Sequence, residues 1–454
     1  MRFGPLSHPQ MSSPRGLHYR ACAGPEPCVL FQKGICMNEP NAIELVACIG
    51  LDWADRRHVI CLQATGCPEA ESLQLEQKPD ALHEWIAQQR VRFQGGKVGI
   101  AIEQTRGAVI HALMMYDFLE LYPINPKALA RFREAFRVSG AKDDPSDAEL
   151  LMDMLRLHRN RLRAWLPDTV ETRRLQILAE YRRKLVNNRI RHTNRITSLL
   201  KMYFPQALDW AGELGTMQSC DFLQKWPTLT AIQQTRPAQL RKFYLDHHSR
   251  NLALIEERLA QIRTARSLTD DPAIVETLSL AVQAEAAQLR PVIEWIPRYD
   301  HIIAQQFALH PEHELFESFP GAGPVYAPRL LIALGTDRSR WASSADLQSH
   351  SGIAPVTEQS GNSCWVHRRL ACSNFIRQTF HEFAAQSIQW SSWARAYYDQ
   401  MRDRGLRHPA AVRALAFKWI RIIYRCWKDR QPYQEEIHLK ALRDKRSPLA
   451  GKLD

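Results

Sequence analysis

Glu44-Leu45-Val46-Ala47-Cys48-Ile49-Gly50-Leu51-Asp52 is a nearly unbroken apolar run that closes on an acid. A run of this kind reads as a buried strand. The polar turn Trp53–Arg57 and the run His58-Val59-Ile60-Cys61-Leu62-Gln63 follow, which predicts a hairpin. Beyond it helix and strand alternate. Residues 80–94 read as helix, and Lys97-Val98-Gly99-Ile100-Ala101-Ile102-Glu103 reads as a second apolar strand closing on an acid. A helix at 107–119, a strand at Glu120–Ile124, the turn Asn125-Pro126 and a basic helical stretch to Val138 complete the pattern. The expectation is an α/β domain of about 120 residues.

Next comes Lys142-Asp143-Asp144-Pro145-Ser146-Asp147-Ala148, ahead of a helical run Glu149–Leu157. Pro145 suits a first helical turn, where its missing N–H costs nothing. Asp144 and Asp147 are three apart and share one face of such a turn. Alone, these acids read as a start that complements the helix dipole. With Asp52 and Glu103 at two strand ends they read differently. Acids at the carboxyl ends of strands meet at one sheet edge. Four carboxylates there repel unless divalent cations neutralise them. Hard oxygen ligands suit Mg²⁺, and two such ions can activate an attacking oxygen and stabilise a leaving one.

The chain of 454 residues is too long for a single core. Its 60 Lys and Arg against 48 Asp and Glu give +12, which favours a polyanionic partner, nucleic acid before membrane. No apolar run reaches the roughly 18 residues of a membrane span. The ten cysteines show no C-x-x-C spacing, and Cys22, Cys28 and Cys36 are too irregular for a zinc site, so reduced thiols are expected. No Walker-type Gly-rich loop is present.

From Leu155 to about Met202 the sequence predicts one long basic helix, including Arg182, Arg183, Lys184 and Arg189. A second helical region runs from about 247 to 309, interrupted at Pro272 and Pro291. Separated by an irregular insert, Phe204–Tyr244, the two predict an antiparallel coiled-coil arm. The last domain opens at Leu315. Phe319-Pro320-Gly321-Ala322-Gly323-Pro324 before an apolar helix resembles a helix-hairpin-helix, whose glycine turn, here Gly321 and Gly323, offers backbone N–H groups to a phosphate; a helix-capping turn is the competing reading. Gly352-Ile353-Ala354-Pro355, a polar turn Val356–Ser363 and a basic patch at His367, Arg368 and Arg369 follow. The aromatic residues of 390–427 read as core.

The order Gly50-x-Asp52, Ile102-Glu103, Asn125-Pro126 and Lys142-x-Asp144-x-x-Asp147-Ala148 resembles the RuvC-like DEDD domain of insertion sequence 110 family transposases. These are bridge-RNA-guided recombinases of bacterial mobile elements. Pro-Gly-Ala-Gly, Gly352-Ile353-Ala354-Pro355 and Gln359-Ser360-Gly361 resemble the family's C-terminal domain. The resemblance spans about residues 43–430. It implies an α/β RNase H-like catalytic domain at 43–160, a helical arm at 161–312 and a mainly helical transposase domain at 313–430. Residues 1–42 would be a disordered or mis-assigned extension and 431–454 a charged tail. It implies Mg²⁺, two ions, on Asp52, Glu103, Asp144 and Asp147, and Ser360 as a nucleophile forming a phosphoserine link to DNA. It further implies a structured guide RNA, a dimer to tetramer with composite sites, and a cytoplasmic, nucleoid-associated setting in bacteria. Gly321, Gly323, Arg368, Arg369, Arg182, Arg183, Lys184 and Arg189 would contact nucleic acid. Asp143 for Asp144 and Ser363 for Ser360 stay open on the residues alone, as do a Mg²⁺-dependent nuclease without the serine step and a non-catalytic nucleic-acid binder.

Overall fold

The computed structural model describes residues 44–103, 107–136, 144–361, 363–445 and positions 447, 449 and 451, with only the backbone of Phe136, Asp144 and Pro145. The expected extension at 1–42, its three cysteines, Lys142 and Asp143 lie outside the described residues. The chain forms two compact units, which divide after Trp165.

In the first unit β1 (Ala47–Asp52) pairs antiparallel with β2 (Arg57–Ala64), and β2 with β3 (Glu71–Glu76). On its other side β1 runs parallel to β4 (Val98–Ile102), and β4 parallel to β5 (Leu119–Pro123). The order β3-β2-β1-β4-β5 is consistent with an RNase H-like sheet. The helices are α1 (Pro79–Arg92), α2 (Ala108–Leu113), α3 (Pro126–Phe136) and α4 (Asp144–His158). β3 was not expected from the sequence: its polar and apolar residues alternate, and of its side chains only Leu75 is buried. α2 is shorter than expected because the chain turns at Met114–Tyr116 to bury Phe118 and enter β5.

Alternation along the strands builds two cores. Ala47, Ile49 and Leu51 join Val98, Ile100 and Ile102 against Trp85, Ile86 and Ile110 of α1 and α2. On the opposite face Cys48 and Ala101 meet Ala148, Leu151, Met152 and Leu155 of α4. Gly50 lies on that second face. A Cβ placed there would sit 1.8 Å from the Ala148 carbonyl oxygen and 2.5 Å from the Met152 nitrogen. Only glycine lets the helix backbone approach so closely.

In the second unit α5 (Val170–Tyr203) and α11 (Pro272–Ala308) are the long helices. The expected helix from Leu155 to Met202 is in fact two. α4 ends at His158, and a bridge from Trp165 to Leu121 and Pro167 interrupt the path before Thr169 caps α5. The two long helices are antiparallel: Thr172 meets His310, Arg182 meets Asp300, and His192 meets Glu285. Pro272 does not interrupt helix but starts it, with Asp271 accepting from the Ala273 N–H at 2.9 Å. Pro291 and Pro297 lie inside the continuous α11. Each interior proline costs about 3 kcal/mol; burial of Val282, Ala286, Leu289, Val292 and Ile296 offsets it.

The insert expected to be irregular is helical: α6 (Ala207–Trp210), α7 (Met217–Lys225), α8 (Leu229–Gln233) and α9 (Pro237–Asp246). With α10 (Leu252–Thr264) they bury Phe222, Trp226 and Tyr244 against Ile196 and Leu200 of α5. The other end of the pair enters a second core with α12 (His313–Glu317), α13 (Gly323–Leu334) and α14 (Ser344–His350). A hairpin of β6 (Val356–Ser360) and β7 (Ser363–His367) follows. The chain then continues through α15 (Asn374–Ser387), α16 (Ser392–Asp403), α17 (His408–Asp429) and α18 (Glu435–Asp444). Trp393, Trp419 and Trp427 are core as expected, whereas Trp390 is 63% exposed.

Two outcomes are expected of this packing. Gly50→Ala forces α4 off the sheet and lowers the stability of the first unit by about 3 kcal/mol or more, measured by chemical denaturation. In the second unit buried His310 accepts from the Glu312 N–H at 3.1 Å, and its Nε2 lies 3.0 Å from Thr172 Oγ1. Burial holds its pKa below 6.5, so the unfolded chain takes up the proton first. Its contribution is full above 6.5 and drains as pH falls through that value toward the folded pKa. The melting temperature falls between about pH 7.5 and 5.5, and His310→Gln flattens that slope.

Candidate active site

The carboxyl edge of the first sheet gathers the acids by register. Leu51 pairs with Ile102 across parallel β1 and β4, so Asp52 and Glu103 leave the sheet side by side. Neighbouring strands lie about 4.8 Å apart. Both acids are half-buried. By alternation they share the face of Gly50 and Ala101, on which α4 lies.

The direction of α4 sets the rest. Gly50 abuts Ala148, while Gly99, in register with Cys48 one strand pair back, abuts Leu155. The helix therefore runs antiparallel to β1 with its N-terminus at the acidic edge. From Gly50 to Asp52 is about 6.6 Å of strand, and from Ala148 back to Asp144 is about 6 Å of helix. The helix start at Asp144 thus falls level with Asp52. Asp147 is buried, and Arg133 of α3 donates to its Oδ1 through Nε at 2.9 Å and through a terminal nitrogen at 2.5 Å. α3 begins at the same edge: Asn125 Oδ1 accepts from the Lys127 N–H at 2.9 Å, and Pro126 takes the first turn. The Asn-Pro pair is therefore a helix start that presents Arg133.

Oxygen-only donors at two strand ends and one helix start fit a hard cation such as Mg²⁺. Asp147, however, already has its charge neutralised by the Arg133 guanidinium on Oδ1. Among the described residues no three acidic, imidazole or thiol side chains converge closely enough to hold an ion, and the side chain of Asp144 is not among those described. Nothing in the spacing of the basic stretch 127–138 singles out Arg133; sequence reasoning missed it.

In the second unit Ser360 lies where the sequence predicts a loop, but the segment is a hairpin. Ser360 pairs with Ser363 across a turn at Gly361, whose φ of 55° favours glycine. Ser360 and Ser363 are both exposed on one face of this ribbon. Its base is anchored by Gly352, where a Cβ would lie 2.3 Å from Cys372 Sγ, and by buried Ile353. At the other glycine turn Gly321, with φ of 76°, lies under Trp390, whose Cδ1 would be 2.6 Å from a Cβ; Gly323 opens α13. Arg182 pairs with Asp300 and Arg183 with Glu382, so both are engaged within the protein; Lys184 and Arg189 are exposed. Arg368 is exposed and Arg369 half-buried.

Two family models match, "Transposase" of the DEDD type over residues 49–205 and "Transposase IS116/IS110/IS902 family" over residues 313–399. Together they cover more than half of the chain. The chain belongs to the IS110 family of transposases. It is 29% identical over 396 residues to the "Mini-circle putative transposase for IS117" of Streptomyces coelicolor, covering 85% of this chain and 95% of that one. It is 27% identical over 371 residues to the insertion element IS900 uncharacterized 42 kDa protein of Mycobacterium paratuberculosis, 78% of this chain and 88% of the relative. A pilin gene-inverting protein of Moraxella bovis is 26% identical over 203 residues, 42% of this chain and 57% of the relative. IS110 transposases are DNA-recombining enzymes, and the first model spans all four acids while the second spans Ser360. No helix among the described residues is long and apolar enough to cross a membrane.

The Arg133–Asp147 pair is testable without substrate. Arg133→Met leaves Asp147 buried without that partner and destabilises the first unit by about 3 kcal/mol, whereas the joint Arg133→Met, Asp147→Asn variant recovers most of that loss in urea melts.

Proposed function

We propose that the chain cuts and rejoins the DNA of a bacterial insertion sequence through a covalent phosphoserine intermediate. Asp52, Glu103, Asp144 and Asp147 would hold Mg²⁺, two ions, at the RuvC-like edge. The observation that carries the reading is the helix start of α4 set level with two acid-bearing strand ends. When bound, Mg²⁺ supplies charge stabilisation at a phosphodiester oxygen.

Ser360 Oγ attacks phosphorus, losing its proton as a bond to the strand's leaving oxygen breaks and that oxygen is protonated. A hydroxyl of the incoming strand then attacks the phosphoserine ester and expels the serine oxygen. One phosphodiester breaks and one forms, so no ATP is needed. The exposure of Ser360 on a ribbon that stands off its domain suits delivery to a composite site in a dimer or tetramer. A relative named for pilin gene inversion supports rejoining over hydrolysis, because an inversion must reseal what it cuts. Lys184, Arg189, Arg368, Arg369 and the Gly321–Gly323 turn are assigned to phosphates of DNA or of a structured guide RNA, in line with the charge of +12. The setting is the bacterial cytoplasm, at the nucleoid.

With element-end DNA and Mg²⁺, the wild type forms a covalent protein–DNA adduct on denaturing gels. Ser360→Ala abolishes the adduct while Ser363→Ala retains it, and Asp52→Asn or Glu103→Gln lowers its yield by at least about 100-fold. Cutting by Ser360→Ala at the wild-type rate would replace this reading with a metal-dependent nuclease.

A further inference from the structure

The hairpin β6–β7 carries more than a serine. Thr357 to Ser360 and Ser363 to Val366 are all exposed, so neither face packs on the helices that carry it. A lone two-stranded ribbon is marginal in water. Its register places Val356 opposite His367, Glu358 opposite Trp365 and Ser360 opposite Ser363. Directly opposed residues share a face, so Trp365, His367, Glu358 and Ser360 all project to one side.

Trp365 is 61% exposed, a large apolar ring left in solvent. It is nevertheless held in place. The imidazole of His367 lies against it, tilted by 35° with centroids 4.4 Å apart, and His367 Nε2 lies 2.9 Å from Glu358 Oε1. That carboxylate raises the pKa of His367 and favours its cationic form. The chain then runs into Arg368 and Arg369, and Arg369 Nε is buried without a hydrogen-bond partner among the described residues. Arg413 of α17 has its pKa lowered by burial and by the nearby positive charges of Arg368 and Arg377. An aromatic face beside such a group of cations matches one occupant, a nucleic-acid strand with a base free to stack.

We propose that Trp365 is a stacking platform for an unpaired base of the DNA strand that Ser360 attacks, with exposed Arg368, which directly follows β7, taking an adjoining phosphate. The assignment rests on the reading of Ser360 as nucleophile. Diagonal neighbours on a ribbon face lie about 7–8 Å apart. At about 3.4 Å per nucleotide in a stacked strand, the base on Trp365 is about two steps from the attacked phosphate. Strand exchange must open the duplex there, and a base out of its stack needs a surface to replace it. Trp365 supplies that surface on the side of the ribbon where the reaction occurs.

The test uses the full-length protein bearing Ser360→Ala, so that no reaction intervenes, and two fluorescein-labelled duplexes, one fully paired and one with a short central bubble. Trp365→Ala weakens binding of the bubble duplex by about 5- to 150-fold and changes the paired duplex less than about twofold. Trp365→Phe restores most of the bubble affinity, and the melting temperature does not move, as the side chain is exposed. Arg368→Ala weakens both duplexes alike and lowers the salt slope by about one. Unchanged bubble binding by Trp365→Ala, equal loss on both duplexes, or a loss of oligomer with bubble affinity intact would overturn the proposal. The serine reading fails separately, through adduct formation by Ser360→Ala, and these binding assays do not depend on it.

Discussion

Everything at the candidate active site depends on one close approach, the Ala148 carbonyl of α4 against the bare Cα of Gly50. A methyl group there would push the helix away from the sheet and shift its N-terminus relative to Asp52 and Glu103. The contact also fixes direction. With α4 antiparallel to β1, the positive end of its dipole meets the carboxylates, where it is stabilising. A steric requirement in the middle of a strand thus sets the electrostatics at its end.

Charge is used sparingly inside the folded units. Buried Asp147 has Arg133, and Glu382 takes both Arg183 and Arg329. Asp168 at the head of α5 accepts from the Thr336 backbone and hydroxyl and pairs with Arg340. Several arginines of the basic helices therefore hold the protein together, and net charge alone overstates how many remain for a polyanion. Those left exposed, such as Lys184, Arg189 and Arg368, are the better candidates for it.

The second unit is organised by α5 and α11, which pass through two cores. Leu175 and Ala179 belong to the C-terminal core, and Ile196 and Leu200 to the core of the insert. The helix pair joins them as one framework, and the hairpin with Ser360 leaves that framework at Gly352 and Ile353. A rigid base and an unpacked ribbon suit a group that must reach a bound strand.

The sequence by itself determined four of the five strands of the first unit, all but β3, together with the acids at two strand ends and the start of α4, because apolar runs, terminal acids and Pro145 are local signals. It also carried the two motif sets that mark the family. What it left open was decided by contacts between distant residues. Arg133 finds Asp147 only because α3 and α4 start at one edge. The insert is helical because its aromatic residues bury against the ends of α5 and α11, which no local periodicity records. The stretch 356–367 reads as a polar turn because neither of its faces is buried, so it shows no hydrophobic alternation. Only its cross-strand pairing in the folded chain places Ser360 and Trp365 on one face.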